Sequence, residues 1–265
     1  MRKRVLFCGS LVALLLVMPV MAQQGSLADA YGIIKSKKKV DLTQSFSPTS
    51  PVWAGFGQAT FSRAADPATG VPYTVKESGF RSFFYSLVGQ YGTHVDPPAH
   101  FDSQGKTMDE IPVDEMILPL VVFDITGKLA QDPAHSLTVN DIKEREKTHG
   151  RVPAGAFAAL RTDMSRDWET NPEQFKRHPF PGWSLEAIKF LYQERGLVAN
   201  GHESMDTDNT PNLESEVWLL QNGHWQIEVM ANLDQVPETG ALIVVSWPKP
   251  KGGLGFPARA FAILP

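Results

Sequence analysis

Residues 90–101 read QYGTHVDPPAHF, and the rest of the chain is best interpreted outward from them. His94 and Asp96 are one residue apart. On an extended chain, positions i and i+2 project to the same side, so an imidazole and a carboxylate are placed to grip one cation. Gly92 permits a turn or a close backbone passage that a side chain would forbid. Thr93 offers a hydroxyl to orient a neighbouring ligand. Pro97-Pro98 sets the chain direction and carries His100 back toward the same spot. Hydrolysis needs such a polar group that is not a ligand: a base for the proton of an activated water. Spacing alone is equally met by a polar surface loop that happens to hold two histidines and an aspartate.

The N-terminus carries an export signal by its composition. Arg2, Lys3 and Arg4 precede an apolar run from Val5 to Val20, and Val20-Met21-Ala22 supplies small residues at a cleavage site. The run is short for a membrane span. Cleavage after Ala22 is expected, giving a periplasmic or secreted product of 243 residues. Cys8 is the only cysteine and leaves with the signal, so no thiolate remains as nucleophile or ligand. Losing three positive charges takes the formal net charge from −4 to −7, which argues against nucleic acid or an anionic membrane as partner. A chain of this size buries on the order of 70–75% of its unfolded surface, enough for a core without disulfides.

Residues 23–40 form a polar lead-in, mobile or helical, and 41–79 read as loops and short strands rich in Ser, Thr, Pro and Gly. Pro119–Ile125 and Phe157–Leu160 are short apolar runs of the buried-strand type. Thr138–His149 is expected to be helical and to stop at Gly150, and Ser184–Arg195 to be a helix capped by Ser184 and stopped by Gly196. Leu197–Asn200 reads as a return strand and Leu213–Gln221 as another helix. Strands at Trp225–Met230, Ala241–Trp247 and Ala258–Leu264 complete the pattern. Interleaved strands and helices without a linker predict one α/β domain with a mixed sheet over residues 41–265.

The run Gly92-Thr93-His94-Val95-Asp96-Pro97-Pro98-Ala99-His100-Phe101 resembles the signature of the cyclase family of hydrolases, His-x-Gly-Thr-His-x-Asp-x-Pro-x-His-Phe. That family includes bacterial kynurenine formamidases and isatin hydrolases. Further stretches agree in order: Arg161-Thr162, Pro181-Gly182, Glu194-Arg195-Gly196, Gly201 with acids at Glu203 and Asp208, Asn232-Leu233-Asp234 with Val236-Pro237, and Pro257-Ala258-Arg259-Ala260. The resemblance implies a swivelling β/β/α-type fold and one or two divalent ions, manganese or zinc, that activate water. It places His94, Asp96 and Glu228 as metal ligands and His100 as the general acid/base.

Two positions depart from that pattern. The first signature histidine is Gln90, and a ligand histidine twelve residues before the late glutamate is Glu216. Both are carried here as oxygen ligands, an exchange that favours a harder ion such as manganese. The departure leaves one ion, two or none as its readings. His202 is expected either to return the imidazole lost at Gln90 or to contact substrate, with Glu203 beside it. Trp53 falls where the family has an aromatic residue at the pocket mouth, and Phe56, Phe83, Phe84 and Trp168 offer apolar walls for an aryl substrate. Ordinary core packing accounts for such residues as well.

The expected activity is hydrolysis of a small amide, formamide or cyclic imide. By resemblance the substrate is N-formylkynurenine, an arylformamidase step of tryptophan catabolism. A lactonase or esterase on the same site, or an exported binding protein that has lost catalysis, are the competing readings. A small molecule is the expected partner, and relatives set dimers or tetramers as the expected assembly.

Overall fold

Short strands buried along almost their whole length build the core of the molecule. The computed structural model describes residues 25–265; the expected signal, residues 1–22, lies outside them. The described residues up to Ser36 belong to one unit and Lys37–Pro265 form another. In the first, the lead-in is helical: α1 (Leu27–Ser36) has Asp29 in its first turn and Lys35 in its last, the charges that suit a helix dipole. No helix among the described residues is long and apolar enough to cross a membrane.

Nine strands of the second unit form one mixed sheet: β1 (Lys39–Asp41), β4 (His94–Asp96), β5 (Ile117–Asp124), β7 (Phe157–Arg161), β9 (Ala199–His202), β10 (Trp225–Glu228), β11 (Ala241–Ser246), β12 (Phe256–Pro257) and β13 (Arg259–Ile263). Their spatial order is β1-β13-β11-β5-β7-β9-β10-β4-β12. The central pairs β5–β7, β7–β9 and β9–β10 are parallel and all the others antiparallel. Two small pairs lie outside: β2 (Thr60–Arg63) with β3 (Phe83–Ser86), and β6 (Ser136–Leu137) with β8 (Gly182–Trp183). This is the α/β domain with a mixed sheet that the sequence predicts.

The parallel strands β7, β9 and β10 are buried almost throughout, because both faces of the sheet are covered. Leu118, Leu120, Val122, Phe157, Ala159, Ile227 and Val95 fill one face. Val121, Phe123, Ala158 and Leu160 fill the other, under three helices. These are α2 (Val139–His149), α3 (Leu185–Lys189, continued by a π-helical turn Phe190–Glu194) and α4 (Glu214–Gln221). Local chemistry sets the helix ends. Thr138 and Asp141 cap α2 reciprocally, and Ser184 accepts a hydrogen bond from Ala187 N at the start of α3. Gly150 and Gly196 follow with positive φ, as expected of stop signals.

Candidate metal centre

Register places the signature. Val95 points into the first core, so His94 and Asp96, on either side of it, face the other way. Antiparallel pairing then sets Glu228 opposite His94 and Gln226 opposite Asp96. Gly92 takes φ +65, a conformation that favours glycine, and an added Cβ would lie 3.1 Å from the Phe46 ring. Thr93 ties the strand down: its hydroxyl donates to Val229 O at 2.6 Å and accepts from Gln44 N at 2.8 Å.

His94 is buried, and its Nδ1 lies 2.9 Å from the carbonyl of Gly92. That bond keeps a proton on Nδ1, so Nε2 is the nitrogen whose lone pair a cation would take in place of a proton. Nε2 has no hydrogen-bond partner; it faces Asp96 Oδ2 at 3.4 Å and Glu228 Oε2 at 3.5 Å. A buried lone pair aimed between two carboxylate oxygens is a donor set for a cation. Two groups among the described residues can hold an ion, His94–Asp96–Glu228 and Asp206–Glu216–Glu228, with ligand atoms within 4.8 Å of one another in each. Glu216 Oε2 is likewise buried without a partner. The residues present therefore fit a divalent cation.

Electrostatics point the same way. Burial, then the charges of neighbouring carboxylates, push Glu216 and Glu228 well above the usual carboxylate range. Asp206 is pushed up to about 6 by burial and by Asp96. Burial most strongly opposes the charge on Asp96, but His94, His100 and the Gln90 amide together hold that carboxyl below its ordinary value. So many acids in one buried place need a positive counter-charge to ionise together.

The cluster lies in a cavity of about 470 Å³, walled by Trp53, Phe56, Phe101, Met205 and Leu213 and also by His100 and His178. His100, on a 3₁₀ turn over Pro98–His100, is half-buried on that wall. A more open cleft of about 660 Å³ around Asp41, Trp247 and Arg259 holds neither acidic group.

Residues 40–209 match the sequence profile of the cyclase family. The chain belongs to that family. Isatin hydrolase of Roseibium aggregatum is 29% identical over 202 residues, 70% of this chain and 76% of that protein. Kynurenine formamidase of Erythrobacter litoralis is 23% identical over 206 residues, 77% of this chain and 84% of that one. The structure of isatin hydrolase A from Labrenzia aggregata, bound to benzyl benzoate, superposes with a TM-score of 0.80 at 28% identity, covering 91% of this chain and 99% of that one. An isatin hydrolase bound to the product analogue thioisatinate gives 0.81 at 25%, covering 92% and 100%.

Within this cyclase-family site several expectations need correction. Gln90 turns its amide nitrogen, not its carbonyl oxygen, to the cluster: Nε2 donates to Asp96 Oδ1 at 3.2 Å and Leu254 O at 2.8 Å. Two acceptors on that side require the NH₂ group there, so Gln90 holds Asp96 through its amide nitrogen in this structure. His202 stands behind Glu228, its Nε2 3.2 Å from Oε1, and burial pushes it down to about 3. There it supports Glu228 from behind and belongs to neither ion-holding group among the described residues.

Glu203 is bonded elsewhere. It accepts from Thr162 N, Thr162 Oγ1, Asp163 N and Ser165 Oγ at 2.7, 3.1, 2.6 and 2.6 Å, and so secures the loop after β7. Asp208 is also structural, accepting from Ser215 N at 2.8 Å at the start of α4. Trp53 and Phe56 do line the cavity, in edge contact at 4.9 Å. Phe83 and Phe84 are exposed on the β2–β3 hairpin and do not line the cavity. Trp168 is buried against Phe175, its Nε1 donating to Ser45 O. Asp206 was not singled out from the sequence; its only signal is its place among the acids of Gly201–Asp208.

Proposed function

We propose that this chain is a divalent-metal-dependent hydrolase of small aryl-bearing amides, with the ion held by His94, Asp96 and Glu228 and with Glu216 and Asp206 beside them. The observation that carries this reading is the buried, unpartnered Nε2 of His94 between two carboxylate oxygens. One imidazole among four carboxylates is a hard donor set, which favours manganese over zinc. When bound, a divalent ion there supplies Lewis acidity, lowering the pKa of water and polarising a carbonyl.

The chain's own groups do the rest. Trp53, Phe56 and Phe101 hold an aryl ring at the mouth and exclude water around it. Gln90 and His202 keep Asp96 and Glu228 in place. His100 takes a proton from the attacking water and returns it to the departing nitrogen as the C–N bond breaks. Isatin, which one relative's name gives, and N-formylkynurenine, which the family resemblance implies, are the first compounds to test. Isatin leads because its hydrolase matches this chain at higher identity, 29% against 23%.

A panel of isatin, N-formylkynurenine and an aryl lactone, offered to manganese-loaded protein, tests the reading. Turnover of an amide above the lactone, lost in His94→Ala, is expected; preferential lactone turnover contradicts it. We also propose export with cleavage after Ala22, checked by the N-terminal sequence of the natively expressed protein. An N-terminus retaining residues 1–22 contradicts that.

A further inference from the structure

Three corners of a four-residue patch across β4 and β10 are accounted for by His94, Asp96 and Glu228. The fourth is Gln226, fully buried, directly across the ladder from Asp96 and on the same face as Glu228. Its Nε2 donates to Glu228 Oε1 at 2.9 Å and lies 3.4 Å from Asp96 Oδ2. On its other side, Oε1 accepts from the hydroxyl of Thr207 at 2.7 Å. Thr207 is itself fully buried, and its carbonyl accepts from Trp183 N at 2.9 Å, which anchors it to β8.

This chain of bonds has a direction. With a cation bound both carboxylates are ionised and can only accept, so the amide must present NH₂ to them and its carbonyl to Thr207, whose hydroxyl can donate. An amide turned the other way would set an oxygen against two anions. Glu228 Oε1 is thus held by Gln226 and His202 together, which leaves Oε2 to face His94 Nε2.

We propose that Gln226 is a positioning residue that sets the separation of Asp96 and Glu228 around the ion, and that Thr207 acts through it by fixing the amide. The inference rests on the metal reading above. Metal-stripped full-length protein is titrated with manganese(II), free ion being read by electron paramagnetic resonance, and melting is recorded without metal. Gln226→Met and Thr207→Val are expected to weaken manganese binding by about 10–100-fold, and Thr207→Ser, which keeps the hydroxyl, to restore it. Wild-type affinity in Thr207→Val, or a loss that Thr207→Ser does not recover, overturns the proposal. So does a fall in metal-free melting temperature with binding unchanged, the mark of a merely structural role. If Gln226→Met does not fold, the two Thr207 variants decide alone. A wild-type protein that binds no manganese removes the metal reading itself, and this inference with it.

Discussion

Glu228 lies directly across the sheet from His94, with Oε2 3.5 Å from His94 Nε2 and Oε1 held from behind by Gln226 and His202. One oxygen is committed to the protein and the other to the cavity. That division is what a ligand carboxylate needs, because a group free to rotate would lose entropy each time it bound.

His100 lines the cavity without belonging to either ion-holding group. His100→Ala is expected to cut turnover by about 10²–10⁴-fold while manganese affinity stays at the wild-type value. Steady-state rates and metal titration on the same preparation check this; loss of both together would make His100 a ligand.

Removing the ion should matter more at high pH. Asp206, at about 6, and Glu216 and Glu228, well above their usual range, all have folded values above their unfolded ones. Below the unfolded values these groups are protonated in both states and cost nothing. As pH rises through the folded values they ionise and stability is lost. A chelator is therefore expected to lower the melting temperature more at pH 8 than at pH 5.5. Scans with and without manganese at each pH check it, and the buried His202 affects both arms alike.

Glu203 serves the loop that follows β7. Glu203→Ala leaves the buried Thr162 N and the half-buried Asp163 N without an acceptor, at a cost of about 3 kcal/mol and about 6–12 °C in melting temperature. Manganese affinity in the folded variant should be unchanged. A thermally neutral substitution would contradict the structural role assigned to it.

Trp53 is half-exposed at the cavity mouth, whereas Phe84 stands on a hairpin away from it. Trp53→Ala is expected to raise KM for an aryl substrate about 5-fold, the equivalent of about 1 kcal/mol of apolar contact. Phe84→Ser should leave KM unchanged. Equal effects from the two would move the substrate site.

What the sequence made legible follows the strength of its periodicity. Val95 between His94 and Asp96 is a period-2 signal, and Thr138, Ser184 and Gly196 are local chemical markers; each needs only its neighbours to be read. Asp206 sits on an irregular stretch between β9 and α4, where no period says which way a side chain points. Gln226 looks ordinary until β10 is paired with β4, and Gln90 resembles a ligand until Leu254 O, far along the chain, is found to claim its amide. Phe83 and Phe84 fail for the opposite reason: an apolar, aromatic run reads the same in a pocket wall and on an exposed hairpin.

Stoichiometric metal binding joined to activity tests the central claim most directly. Chelator-stripped protein is titrated with manganese(II) while isatin and N-formylkynurenine hydrolysis are followed. The predicted result is no turnover without ion, turnover rising in proportion to bound manganese, and neither binding nor turnover in a His94→Ala, Glu228→Ala double variant. Undiminished hydrolysis in the stripped protein, or full manganese binding by the double variant, would contradict it.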